Sequence, residues 1–300
     1  MGSSLSESCF QTILQRKGLV NRIISEIKVT IEDCRSNTIG GIFVGMEIWN
    51  KAVVPFLFGN CECWMEMPRK ALNLVSSITR SFYRSLFYAP KGTPLFCYYW
   101  DTGSLLEENF IILRKLLFLH HLATLPGSAL AREVYELQKE DSSAFVLECK
   151  TYMNSLDITV DPGSFSKYTW RKLILRKIHS KNKSELLSLL DSYKKLDRNK
   201  FENEEYGQKS YLKTMTTTQS RTFFSSRSMM LTSVQWNFKS KPVFAANEYK
   251  CECGDLDTQA NLLTCRLYKH LREGLDLVGS DTDLVKYYQL VISERQTEDT

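Results

Sequence analysis

Glycine and proline are scarce, 14 and 7 of 300 residues. With so few chain breakers, and with long stretches of three-and-four periodicity, a loop-rich architecture is excluded and a mainly α fold is expected. Long apolar runs are missing too. "AVVPFLFG" (52–59) is too short to cross a bilayer, and "FIILRKLLFLHHL" (110–122) is broken by Arg114 and Lys115, so no membrane association is expected. The first twenty residues have no continuous apolar core of the kind a signal peptide needs, and "MGSSLS" fits a myristoylation pattern only formally. Nine cysteines are too sparse for a disulfide scaffold in a chain this long, and their odd number fits reduced thiols, which points to an intracellular protein. Catalytic motifs are lacking: there is no GxGxxG, Walker loop, HExxH or GxSxG. The carboxylate pairs Glu107/Glu108, Asp255/Asp257 and Asp281/Asp283 stand with no nucleophile or histidine in a recognisable arrangement. No enzymatic activity of its own is expected. Asp281 or Thr282 reads as a helix N-cap.

Apolar residues make up 43% of the chain and aromatics 12%, enough for most of it to fold. Phe10, Ile13, Leu14, Val20, Ile23, Ile24, Ile27 and Ile31 fall at helical spacing and predict a long amphipathic helix ended by "SNTIGG" (36–41). A second apolar segment, 43–58, contains Pro55, which should kink or end its helix. Helices are expected near 68–88, 128–140, 142–153, 165–181, 184–195, 219–230, 262–273 and 281–294. Residues 105–125 are apolar nearly all round and predict a central, buried helix. On that helix adjacent His120 and His121 point about 100° apart, so they cannot share a metal and read as core histidines. "DPGS" (161–164) is the best candidate boundary, giving segments 1–160, 165–241 and 242–300.

The net charge of +5 is unevenly spread. Residues 1–164 carry 16 Lys/Arg against 17 Asp/Glu, residues 165–241 carry 17 against 6, and residues 242–300 carry 6 against 11. The middle segment is where a polyanion would bind. Its helix "FSKYTWRKLILRKIHSKNK" (165–183) alternates Lys167, Arg171, Lys172, Arg176, Lys177, Lys181 and Lys183 with Trp170, Leu173, Ile174 and Ile178, so one face can pack while another tracks phosphates. In "SRTFFSSRSMML", Arg221, Phe224 and Arg227 lie one turn apart. They read either as a stacking and backbone-gripping group or as a core aromatic flanked by surface arginines.

"CECGDLDTQANLLTC" (251–265) gathers three cysteines in fifteen residues. Structural zinc asks for four Cys/His ligands, with two to four residues between paired cysteines. Cys251 and Cys253 are closer than that. Cys265 is a candidate third ligand, and His270 can be the fourth only if Cys265 precedes its helix.

Several stretches in order resemble the C-terminal region of a non-LTR (LINE-type) retrotransposon reverse transcriptase. They are "TILQRKGLVNRIISEIK" (12–28), "GGIFVGMEIWNKAVVPFLFGNCECW" (40–64), "FYRSLFYAPKGTPLFCYYWDTGSL" (82–105), "LLFLHHLATLPGSALAREVYELQ" (116–138), "RTFFSSRSMML" (221–231) and "CGDLDTQANLLTC" (253–265). The resemblance implies a multi-helix thumb-like bundle, a basic nucleic-acid-binding segment and a small C-terminal unit like a degenerate zinc knuckle. Aligned on that knuckle, the histidine position falls at Asn261, a poor zinc ligand. The polymerase's adjacent aspartates are absent, which implies a fragment without the catalytic metal site. RNA or DNA is the implied partner, a polymerase acting in trans a further one, zinc the candidate cofactor and the nucleus the implied location. A helical protein-interaction module is the rival reading, supported by the near-neutral, apolar-rich first half.

Overall fold

The computed structural model describes residues 2–33, 38–64, 67–141, 143–193, 196, 198–231 and 251–298. Among them every regular element is a helix, with only isolated β-bridges at Ile39–Thr216 and Thr102–Gln208. The mainly helical expectation therefore holds. The helices are α1 (Gly2–Asp33), α2 (Gly41–Ile48), α3 (Val54–Leu57), α4 (Arg69–Phe87), α5 (Leu95–Thr102), α6 (Glu107–Thr124), α7 (Leu130–Glu140), α8 (Ala144–Ser155), α9 (Lys167–Leu190), α10 (Arg198–Glu202), α11 (Tyr211–Thr214), α12 (Thr217–Arg227), α13 (Gln259–Thr264), α14 (Lys269–Arg272) and α15 (Asp281–Glu298).

The packing forms two compact units that are each discontinuous in sequence. One comprises Met1–Ile23, Trp49–Arg80 and Gly103–Asp191; the other comprises Ile24–Ile48, Ser81–Thr102 and Ser192–Thr300. The segments expected at 1–160 and 165–241 are not separate bodies, because Ile158 and Trp170, on either side of "DPGS", share one core. Pro162–Ser164 is a single 3-10 turn within it.

In the first unit α6 is the central helix, with α7, α8 and α9 packed around it. Ile112, Leu116, Leu119 and Leu122 of α6 meet Val146, Cys149, Trp170, Ile174 and Ile178. Lys115, which interrupts the apolar run in sequence, is also buried. Its ammonium pairs with Glu148 at 2.5 Å and donates to the Trp64 carbonyl, so its charge is compensated inside the core. His120 is buried, bonded to the Phe165 carbonyl at 3.0 Å and stacked on Trp170, while His121 is exposed; the core reading holds for the first alone. The Gly41–Cys63 stretch is long and apolar enough, by length and composition only, to pass for a membrane span. Its helical path passes through a π-helical turn at Trp49–Val53 directly into α3, and Pro55 sits in the first turn of α3, just after that turn.

In the second unit α12 starts with a full capping box, Thr216 and Gln219 each satisfying the other's backbone, and packs on α15. Ser280, rather than Asp281 or Thr282, caps α15 through its hydroxyl, which accepts from the Asp283 N–H. Phe224 is fully buried, stacked on Phe87 and Tyr98 at centroid distances of 4.1 and 5.1 Å. One turn on, Arg227 donates through Nε and Nη2 to both oxygens of Asp101, each at 2.9 Å, and through Nη1 and Nη2 to Glu204 at 2.9 and 2.6 Å. Tyr211 donates to the same Asp101 carboxylate at 2.9 Å. Both Arg227 and Asp101 are almost completely withdrawn from water. Burial pushes the Glu204 carboxyl up, but hydrogen bonds and charge from Arg227, with help from Lys209, outweigh it and hold the group at about 2.

Two outcomes follow for stability. Arg227→Met strands the Asp101 carboxylate in the core, and the unfolding free energy from urea titration should fall by about 3–5 kcal/mol; a loss under about 1 kcal/mol would show that the pair is not holding the unit. Glu204 has a folded-state pKa below its ordinary 4.5, so its contribution is complete above about pH 4.5 and disappears as pH falls towards 2. The stability gap between the wild type and Glu204→Gln should therefore be largest near neutrality and close across that window. A gap that widens on acidification would contradict the assignment.

Candidate nucleic-acid and metal sites

The basic helix is longer than its periodicity implies. The two helices expected at 165–181 and 184–195 are one, α9, running from Lys167 to Leu190, and the Ser166 hydroxyl caps it by accepting from the Thr169 N–H. Trp170, Ile174, Ile178, Asn182, Leu186 and Leu190 are buried at strict four-residue spacing. Trp170 Nε1 donates to the Leu116 carbonyl at 3.0 Å. Asn182 Oδ1 accepts from the Leu106 N–H at 2.8 Å and from Asn109 Nδ2 at 3.0 Å. An aromatic and an amide, three turns apart, thus fix both the rotation and the axial register of α9 on α6.

That fixed rotation decides where the basic side chains go. Stepping 100° per residue, Lys172, Arg176 and Lys183 fall within about 40° of one another, far from the Trp170 side. Lys172 and Arg176 are exposed and Lys183 is half-buried. Lys167, Arg171, Lys177 and Lys181 lie on the half of the helix that carries Trp170, Ile174 and Ile178. Lys167 and Arg171 stay exposed there, while Lys177 and Lys181 are half-buried, and Lys181 approaches Glu185 at 3.8 Å. The seven bases therefore do not make one face. Glu185 is the single acid on α9, and Asn109 holds it on the far side at 2.6 Å.

Arg221 and Arg227 are not part of such a surface. Arg227 is the buried ion-pair centre described above. Arg221 is half-buried, donates through Nε to the Leu86 carbonyl at 3.0 Å and covers the ring of Tyr88 at 3.9 Å. Phe224 is in the core, as one of the two sequence readings had it, but its two arginines are engaged inside the fold rather than standing on the surface. The acid that matters, Asp101, lies 126 residues away in "CYYWDTG", where a lone carboxylate in an aromatic run was the available signal.

Cys251, Cys253 and Cys265 come together, with their sulfurs all within 4.8 Å of one another. Cys251 and Cys265 are buried and 3.7 Å apart. Four ligands at a Zn–S distance of 2.3 Å would sit about 3.8 Å from each other, so this edge fits a tetrahedral thiolate site. A short turn makes the cluster: the Cys251 N–H donates to the Asp255 carbonyl and the Gly254 N–H to the Cys251 carbonyl, with Gly254 at φ +96°, a region that only glycine enters without strain. Cys265 is the C-cap of α13 and precedes α14, so it lies before the helix that carries His270. The Asp255 N–H and Asn261 Nδ2 both donate to the Cys253 sulfur and hold its pKa down, whereas burial pushes the Cys251 thiol up. Three close thiols of this kind can hold a metal ion. His270 is not with them: it is exposed, its Nδ1 faces the Leu267 carbonyl and its Nε2 faces Glu294 at 3.3 Å. Side-chain oxygens of Asp255 (Oδ2, 3.8 Å) and Asn261 (Oδ1, 3.9 Å) lie beside the Cys253 sulfur. The unit is braced from behind by Arg295, whose guanidinium takes both oxygens of Asp257 at 3.0 and 2.8 Å.

Comparison of the chain with protein-family models, curated proteins and solved structures finds no match in any of the three.

If the three thiols are the ligands, His270→Ala should take up cobalt(II) with unchanged stoichiometry and affinity. Cys265→Ser should weaken uptake by at least about tenfold, since a thiolate is then missing from the ligand set. Loss of binding in the His270 variant would restore the histidine to the site.

Proposed function

We propose that this chain is a non-catalytic C-terminal region of a non-LTR retrotransposon reverse transcriptase and that it binds RNA or DNA through α9. The observation that carries the binding reading is the exposed basic face of α9, turned outward by the burial of Trp170 on the opposite side of the helix. Lysine and arginine held on a rigid helix neutralise phosphates with little ordering cost, and the released counterions drive association. Together with α6, α7 and α8, the helix serves as the thumb-like part that holds template or target beside a polymerase supplied in trans, in the nucleus. The polymerase chemistry belongs to that other segment, because this chain lacks adjacent aspartates for the catalytic metals. The thiol cluster is a zinc site of degenerate knuckle type and organises α13 to α15 rather than touching nucleic acid.

A second reading is favoured by one feature of the first unit. An apolar groove of about 450 Å³ is lined by Phe118, Leu122, Leu130, Val134, Tyr135 and Phe145, and Leu130 is 74% exposed. In that reading the chain is a helical protein-interaction module.

Fluorescence anisotropy with a structured RNA and a duplex DNA across a salt series separates the two. Lys172→Glu with Arg176→Glu should reduce the slope of log K against log salt by about 2, one per lost phosphate contact. Arg171→Glu with Lys177→Glu, on the other side of the helix, should change it less. Equal effects from both pairs would remove the face assignment, and no binding at low salt would leave the interaction module. Primer extension by the isolated chain should give no product; nucleotide incorporation would overturn the non-catalytic reading.

A further inference from the structure

Tyr168 is the most exposed aromatic side chain among the described residues, at 76%, ahead of Tyr88 at 50% and Phe56 at 37%. Those two are covered by cations: Arg221 and Lys28 over Tyr88, and Arg16 over Phe56. No cation among the described residues covers Tyr168 in this way. It sits in the first turn of α9, about 160° around the helix from Trp170, so the rotation that buries the indole turns the phenol out to water.

Its position on the helix surface gives this exposure a use. Counted from Tyr168 at 100° per residue, His179 lies at about 20°, Lys172 at about 40°, Lys183 at about 60° and Arg176 at about 80°. One aromatic and three bases therefore occupy an arc of about 80°, spread along about 22 Å of helix, with Tyr168, Lys172 and Arg176 roughly one turn apart, Lys183 about two turns further on and no acid of α9 among them. An aromatic ring at one end of a basic track can stack only on a base whose face is free. In a duplex both faces of each base are covered by its neighbours, so a ring standing on a helix surface has nothing to stack on.

We infer that α9 takes single-stranded nucleic acid, with Tyr168 stacked on one base while Lys172, Arg176 and Lys183 follow the phosphates towards the C-terminal end of the track. This rests on the proposed role of α9 as the nucleic-acid surface and adds the substrate class and a base-contacting residue to it. The phenol supplies the face and the lysines supply affinity without reading sequence, so single strands of either sugar are bound with little sequence preference.

The test compares wild type, Tyr168→Ala and Tyr168→Phe by anisotropy on unstructured oligonucleotides of about twelve nucleotides, as RNA and as DNA, and on duplexes of equal charge. Far-UV circular dichroism confirms that the exposed substitution leaves the helix intact. The expected result is tighter binding of the single strands by wild type. Tyr168→Ala should lose about 5- to 100-fold on single strands, with the salt slope and duplex binding unchanged, and Tyr168→Phe should behave as wild type because the ring and not the hydroxyl makes the contact. The RNA and DNA arms show whether the sugar matters. Wild-type and Ala variants of equal affinity on single strands, or an equal loss on duplexes, would overturn the stacking role alone. Failure of wild type to bind either form at low salt would instead overturn α9 as the nucleic-acid surface, and this inference with it.

Discussion

The indole N–H of Trp170 on the backbone carbonyl of Leu116 is the contact on which the first unit turns. A carbonyl in the middle of α6 already accepts from its own helix, so a second donor reaches it only where another helix comes very close, and a fully buried indole has to find such a partner. Once that bond is made, the four-residue row below it has to fill the groove of α6 in one way, and Asn182 closes the other end on the first turn of that helix. The charged residues between these anchors have no freedom to choose a face. A sequence that seems merely rich in lysine becomes a surface with a defined direction because of two uncharged side chains.

The elements with strong periodicity were legible before any coordinates. The long amphipathic first helix, the buried helix around 105–125 and the helices at 68–88 and 142–153 correspond to α1, α6, α4 and α8. Two kinds of feature were not. The periodicity predicts two helices, 165–181 and 184–195, where α9 is continuous, because a buried asparagine with three partners carries the core stripe across the gap between them. The grouping of the chain into units was hidden as well. Residues such as Phe87, Tyr98 and Phe224 meet across more than a hundred positions, and local pattern holds no information on which distant aromatic stacks on which.

The site residues divide on the same line. That α9 is rich in basic residues could be read from the sequence, but not that Lys167, Arg171, Lys172 and Arg176 stay exposed while Lys177, Lys181 and Lys183 are half-buried. Nor could the places of Arg221 and Arg227, because the identity of an arginine's partner is a tertiary fact: Asp101 and Glu204 convert what reads as a ligand for phosphate into an internal cross-brace. With the cysteines the spacing was informative and the fourth position was not. A turn built on Gly254 closes the one-residue gap between Cys251 and Cys253, but His270 has turned to Glu294 on α15, so helical spacing carried it away from the sulfurs.

The stripe on α9 has a thermodynamic consequence for the free protein. Lys172 and Arg176 stand four apart on one exposed face, an arrangement that opposes the helix by a few tenths of a kcal/mol through mutual repulsion. Added salt screens that repulsion and firms the free helix, yet the same salt competes with any polyanion for the same groups. On the proposed reading, the free helix and its binding of a polyanion thus respond to ionic strength with opposite signs. Low salt is the condition in which α9 is least stable alone and in which a bound polyanion would stabilise it most.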